Sequence, residues 1–135
     1  MGLQYSIAVR NAQLDAWETA IGATPIMKIR TGAAPASCAT ADSGTVLATL
    51  TLPADWMAAA AAGVKAKLGT WQDASADAAG VAGHYRIYES TGVTCHEQGA
   101  ITATGGGGEM TVDNVNFAIT QPFTVTSFNR TAANA

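Results

Sequence analysis

The chain has 135 residues, a net charge of −3 and only 13% charged residues, about half the usual fraction. That length suits one domain, which buries roughly 65–70% of its unfolded surface without needing a metal or a disulfide scaffold. The 7 Lys and Arg residues are scattered, so the convergent cations that nucleic-acid binding draws on are missing. No run reaches the roughly 18–20 apolar residues that cross a bilayer.

Residues 1–22 read as a helix. Leu3, Ile7, Leu14, Trp17 and Ile21 recur at helical spacing on one face, and these five are the candidate interface, either with the rest of the chain or with a neighbouring subunit. Arg10 interrupts the stripe, although its stem can lie along apolar surface. Gln4, Asn11, Gln13, Asp15 and Glu18 supply the polar side, and Gly22 and Pro25 mark the stop.

From residue 23 to 135 the hydrophobic period falls toward two, and this stretch reads as one β domain. Ile26 to Arg30 is a short strand, and residues 31–44 form a Pro-, Gly- and Ser-containing loop. Residues 45–52 alternate Val46, Ala48, Leu50 and Leu52 with threonines, the pattern of a half-buried strand that Pro53 ends. The alanine-rich residues 54–63 are expected to make one or two helical turns anchored by Trp56 and Met57. Residues 64–72 read as a strand, 73–83 as a small-residue connection, and 84–90, "HYRIYES", as the clearest strand. Residues 94–104 give another strand. Met110 to Ile119 give one or two, bent near "DNVN", and residues 122–130 give the last, before a loose "TAANA" tail. About seven or eight short strands after one helix argue for a mainly β protein, an antiparallel sandwich or jelly roll.

Chemistry is sparse. Gly105 to Gly108 lack the Lys-Ser/Thr that follows a phosphate loop, and Glu109 and Met110 stand there instead; the run reads as a hairpin turn. Cys95 and His96 are adjacent, so on a strand they point to opposite faces and do not readily chelate one ion. With no secretory-signal pattern at the N-terminus, Cys38 and Cys95 are expected as reduced thiols. His84 reads as a half-exposed sheet residue. Asp73, Asp77 and Asp113 lack the calcium-loop spacing, and no nucleophile motif accompanies either histidine. The aromatics fall mostly at inward positions, with a sugar-binding platform as the sharper alternative. Asn129 begins an "NRT" glycosylation sequon. No catalytic, cofactor or metal residues are assigned, and the chain is expected not to be an enzyme.

The segments Gly44 to Leu52 ("GTVLATLTL"), Gly83 to Gly92 ("GHYRIYESTG"), Gly99 to Gly106 ("GAITATGG"), Met110 to Asn114 ("MTVDN") and Val125 to Phe128 ("VTSF") together resemble a family of small structural proteins of tailed bacteriophages and prophages. The resemblance covers residues 44–128 and consists of strands and turns. It implies a virion component, a head decoration (cement) protein of jelly-roll or sandwich type, made in the host cytoplasm and carried on the particle. It further implies a homo-oligomer, often a trimer, that contacts the major capsid protein or other virion proteins. A neck, tail or fibre role, or a receptor- or carbohydrate-binding module, is the alternative.

Overall fold

The computed structural model describes residues 2–132. Helix α1 spans Ile7–Ile21. It starts where the Ser6 hydroxyl accepts the Val9 N–H, and it stops at Gly22, whose φ of 90° lets its N–H close onto the Glu18 carbonyl. Residues 2–6, read above as part of the helix, precede this cap and are not helical: a cap side chain satisfies the first free N–H groups, so the helix begins after it.

Among the described residues ten strands follow: β1 Ile26–Thr31, β2 Val46–Thr51, β3 Val64–Ala66, β4 Trp71–Asp73, β5 Gly80–Tyr88, β6 Cys95–Ala103, β7 Met110–Val112, β8 Asn116–Phe117, β9 Phe123–Val125 and β10 Asn129–Thr131. The protein is therefore mainly β with one N-terminal helix. The largest sheet runs β2-β1-β5-β6-β7, with β8 added beside the start of β5; β3 pairs with β10, and β4 with β9. Every pairing is antiparallel except β6 with β7.

That exception corrects the reading of the glycine run as a hairpin. Ile101 sits opposite Met110 and Ala103 opposite Val112, in parallel register. A parallel neighbour ordinarily needs a crossover of a dozen or more residues; here residues 104–109 suffice. Gly105 and Gly107 take φ of 89° and 82°, conformations that glycine adopts without strain. Gly106 and Gly108 lie so close to β6 that an added Cβ would stand 2.7 Å from Thr102 and 2.9 Å from the Ala100 carbonyl. The Thr102 hydroxyl accepts the Gly108 N–H at 3.0 Å, and the Glu109 carboxylate accepts the Ala100 N–H at 2.7 Å. The run is a turn, but one that doubles back flat against its own strand.

The alanine-rich stretch is also not helical. Ala61 and Val64 exchange both backbone hydrogen bonds at 2.9 Å across Ala62 and Gly63, whose φ values are 53° and 75°, a tight hairpin turn. Met57 bridges Lys67. Cross-strand pairing and the burial of Trp56 and Met57 override the helical propensity of alanine. The anchors were read correctly; the element was not. The expected single strand over 64–72 is two, β3 and β4, belonging to different sheets and separated by Gly69, with φ of 74°. The expected last strand likewise splits into β9 and β10. The expected loose tail is ordered as far as Ala132, which bonds the Gly63 carbonyl; residues 133–135 lie outside the described residues.

The core lies on one face of the large sheet. Alternation along paired strands puts Met27, Ile29, Leu50, Tyr85 and Ile87 on this face, all buried. A chain of ring contacts crosses the core from helix to sheet: Trp17 to Trp56 at 5.1 Å, Trp56 to Trp71 at 5.8 Å, Trp71 to Phe128 at 4.9 Å and Phe128 to Tyr85 at 6.0 Å. These separations are those at which aromatic pairs attract beyond the effect of area burial alone.

Candidate functional site

The opposite face of the large sheet carries the densest polar arrangement. Arg30 on β1 and His84, Arg86 and Tyr88 on β5 all point there, and each is buried. Residues 32–45, between β1 and β2, cover them. The Arg86 guanidinium donates to Asp42 Oδ1 at 2.8 Å, to the carbonyls of Ser37 and Thr40 at 2.9 and 3.0 Å, and to Gln98 Oε1. Arg30 reaches Asp42 Oδ2 at 3.1 Å, and the Tyr88 hydroxyl donates to Asp42 Oδ1 at 2.7 Å. Gln98 donates to the Pro35 carbonyl at 2.6 Å, and His84 Nδ1 meets the Gly32 carbonyl at 2.8 Å. The loop backbone rests directly on β5: a Cβ at Gly83 would lie 2.1 Å from the Gly32 oxygen.

Burial pushes the Asp42 carboxyl up, but hydrogen bonds from Tyr88 and Arg86 and the charges of both arginines more than offset this and hold it below its ordinary value. Burial, reinforced by the Asp42 hydrogen bond, raises Tyr88. Cys38 of the loop is disulfide-bonded to Cys95 of β6, with Cα atoms 5.1 Å apart. This overturns the expectation of two reduced thiols. The partners are 57 residues apart, so only the folding of the loop onto the sheet places them at bonding distance. His84 is likewise fully buried, not half-exposed, because the loop seals the face that the sequence pattern leaves open.

A second cluster sits on the core side. The Arg130 side chain forks onto the Glu97 carboxylate, with one contact at 2.9 Å, and its NH2 also reaches the Tyr85 hydroxyl. Tyr85 donates to Glu97 at 2.8 Å and Trp17 Nε1 to the same carboxylate at 3.1 Å. Burial first, and then the Glu97 charge, drive the Tyr85 phenol well above its ordinary value. Burial lowers Arg130, but its bonds to Glu97 win and raise it. A third cluster joins α1 to the β3 hairpin. Lys65, itself buried, meets Asp15 at 2.6 Å and Glu18 at 2.8 Å, while Asn11 accepts the Gly63 N–H at 2.9 Å.

The five residues of the predicted interface stripe separate. Leu14 and Ile21 are buried and Trp17 is half-buried against the core, so these three pack on their own domain. Ile7, on the same helical face, is 56% exposed, and Leu3, ahead of the helix, is 64% exposed. The face runs on past the edge of the domain. Arg10 does not merely lie along the stripe: its Nε donates to the Ala132 carbonyl at 2.7 Å.

Cys95 is taken up in the disulfide, and His96, the extra residue where the β5–β6 register shifts, stands 3.7 Å from Glu89. Glu89 accepts the N–H groups of Val93 and Thr94 and the Thr91 hydroxyl, and these bonds, the hydroxyl's first, bring its carboxyl down to about 2. Asp73 and Asp77 do meet, at Thr49, where one accepts the backbone N–H and the other the hydroxyl, both at 2.8 Å. Among the described residues no group of three or more His, Cys, Asp or Glu side chains is placed to hold a metal ion, and no helix is long and apolar enough to cross a membrane. Sequence reading missed Arg86, Asp42, Glu97 and Arg130. The one available signal was charged side chains at 86 and 97 within otherwise strand-like runs, where a buried charge needs a partner.

Comparison with known protein families, with curated proteins and with solved structures found no match.

Proposed function

We propose that this chain is a structural protein of a bacteriophage particle, a head decoration protein that oligomerises and bridges capsid subunits. The observation that carries the reading is the N-terminal apolar face. Ile7, Leu14 and Ile21 share one side of α1, yet Ile7 is 56% exposed where the other two are buried at 6% and 4%. Residues 2–9 carry no charge, so covering Ile7, Leu3 and the 43%-exposed Val9 desolvates no ion. The resemblance of residues 44–128 to virion proteins gives the setting. The charged groups with catalytic potential are bonded inward, to the loop or to each other, which suits a scaffold whose task is adhesion.

In this reading the domain is a sandwich of the jelly-roll kind, with the short β4–β9 and β3–β10 sheets laid over the core face of the large sheet through Trp71 and Phe128. The carbohydrate-platform alternative gains no support, since Trp56 and Trp71 are fully buried and Trp17 is packed against Trp56. The test is electron microscopy and mass spectrometry of purified particles. The chain is expected on the head surface in a fixed ratio to the capsid protein. Its absence from particles, or its location on tail or fibre, overturns the decoration role. Ile7→Ser is expected to keep the fold and weaken attachment.

A further inference from the structure

We propose that the Cys38–Cys95 disulfide is a redox-sensitive latch on the loop of residues 32–45, and that its reduction by a low-molecular-weight thiol uncovers the Arg86 guanidinium. This inference is independent of where the protein resides. Three observations carry it. First, apart from the backbone at its two ends, the disulfide is the one covalent cross-link between loop and sheet among the described residues; the other ties are hydrogen bonds or ion pairs to the same loop, at Gly32, Pro35, Ser37, Thr40, Asp42, Gly44 and Thr45. Second, access is graded. Both cysteines are partly exposed and line an open depression of about 400 Å³ together with Val93, which is 77% exposed; Arg86 contributes to the same wall but is only 2% exposed. The closed loop therefore leaves the disulfide within reach of a small thiol while it covers nearly all of the Arg86 side chain. Third, two buried cations, Arg30 and Arg86, face the single carboxylate of Asp42 there. The excess positive charge is held by loop carbonyls, and water offers the same bonds once the loop is free to leave.

In the chemical step, a reductant thiolate attacks one cysteine sulfur, breaking the protein S–S bond and forming a mixed disulfide. A second reductant thiol displaces the first cysteine. The products are two cysteine thiols and one oxidised reductant disulfide, with two electrons and two protons gained by the protein. Opening is local because the aromatic core lies on the other face of β5 and makes no use of the loop.

The full chain, oxidised or treated with dithiothreitol, is compared by hydrogen exchange and by phenylglyoxal labelling of arginine. On reduction, the Thr40 and Thr45 amides, bonded to Ser37 and Thr31 in the closed loop, are expected to exchange about tenfold faster or more, while β1 and β5 stay protected. Arg86 should label only in the reduced chain. Cys38→Ser should behave as the reduced form with or without dithiothreitol. Equal exchange and labelling in both redox states overturns the latch. So does loss of protection throughout β1 and β5, which would make the disulfide a staple of the whole fold.

Discussion

The two faces of β5 are buried equally and by opposite means. On one, Tyr85 and Ile87 join Met27, Ile29, Trp71 and Phe128 in an apolar core. On the other, His84, Arg86 and Tyr88 are as deeply covered, but by a loop whose carbonyls and one carboxylate accept most of the donors, leaving Arg30 Nε and His84 Nε2 buried without a hydrogen-bond partner. The first face is stabilised by water leaving apolar surface, a non-directional effect that tolerates small shifts. The second depends on directional bonds to its charged groups, because a charge left unpaired in a low dielectric costs more than the pair contributes. One strand thus carries a robust side and a brittle side.

Breaking the robust side should have the largest effect. Trp56→Ala removes a fully buried ring between Trp17 and Trp71 and should lower stability by about 3–5 kcal/mol in denaturant unfolding. On the brittle side, Arg86→Met keeps the stem but strands the Ser37 and Thr40 carbonyls; a loss of roughly 2–4 kcal/mol is expected. That loss should be accompanied by faster amide exchange in residues 32–45. If Arg86→Met costs nothing, the polar face is ornamental and the contrast fails.

Acid should separate the two sides further. Asp42 and Asp15 have folded-state values below their ordinary ones, as does Glu89 at about 2. A carboxylate depressed on folding stabilises at pH values above its unfolded value and loses that contribution as pH falls through the folded one. The melting temperature should therefore be flat above about pH 5 and decline below about pH 4. Asp42→Asn should lower the plateau and flatten that decline. The smallest effect on stability is expected for Ile7→Ser, within about 0.5 kcal/mol of wild type, since the side chain is 56% exposed. A larger change in thermal unfolding would show that Ile7 already packs within its own chain and would remove the basis for an N-terminal contact surface.

The strand at "HYRIYES", the helix stop at Gly22 and the anchors Trp56 and Met57 were readable from residue pattern alone. Each rests on interactions between near neighbours: alternation along a strand, a positive φ at a glycine, a large apolar side chain seeking cover. Strand geometry sets Tyr85 and Ile87 on the face opposite His84, Arg86 and Tyr88, although the sequence reading grouped Tyr88 with the inward aromatics. It could not say that the second set would also be sealed. That outcome required residues 32–45 to fold back over the sheet, joining Cys38 to Cys95 and Asp42 to Arg86 across 57 and 44 residues of sequence. The Glu97–Arg130 pair, across 33 residues, is of the same kind; the parallel return of β7 and the hairpin replacing an alanine helix are local turns, but strand pairing and burial beyond them chose their form. Local sequence determined which side chains shared a face, because backbone geometry sets that. The tertiary structure decided which faces were covered and by what, because burial depends on segments whose approach no local period encodes.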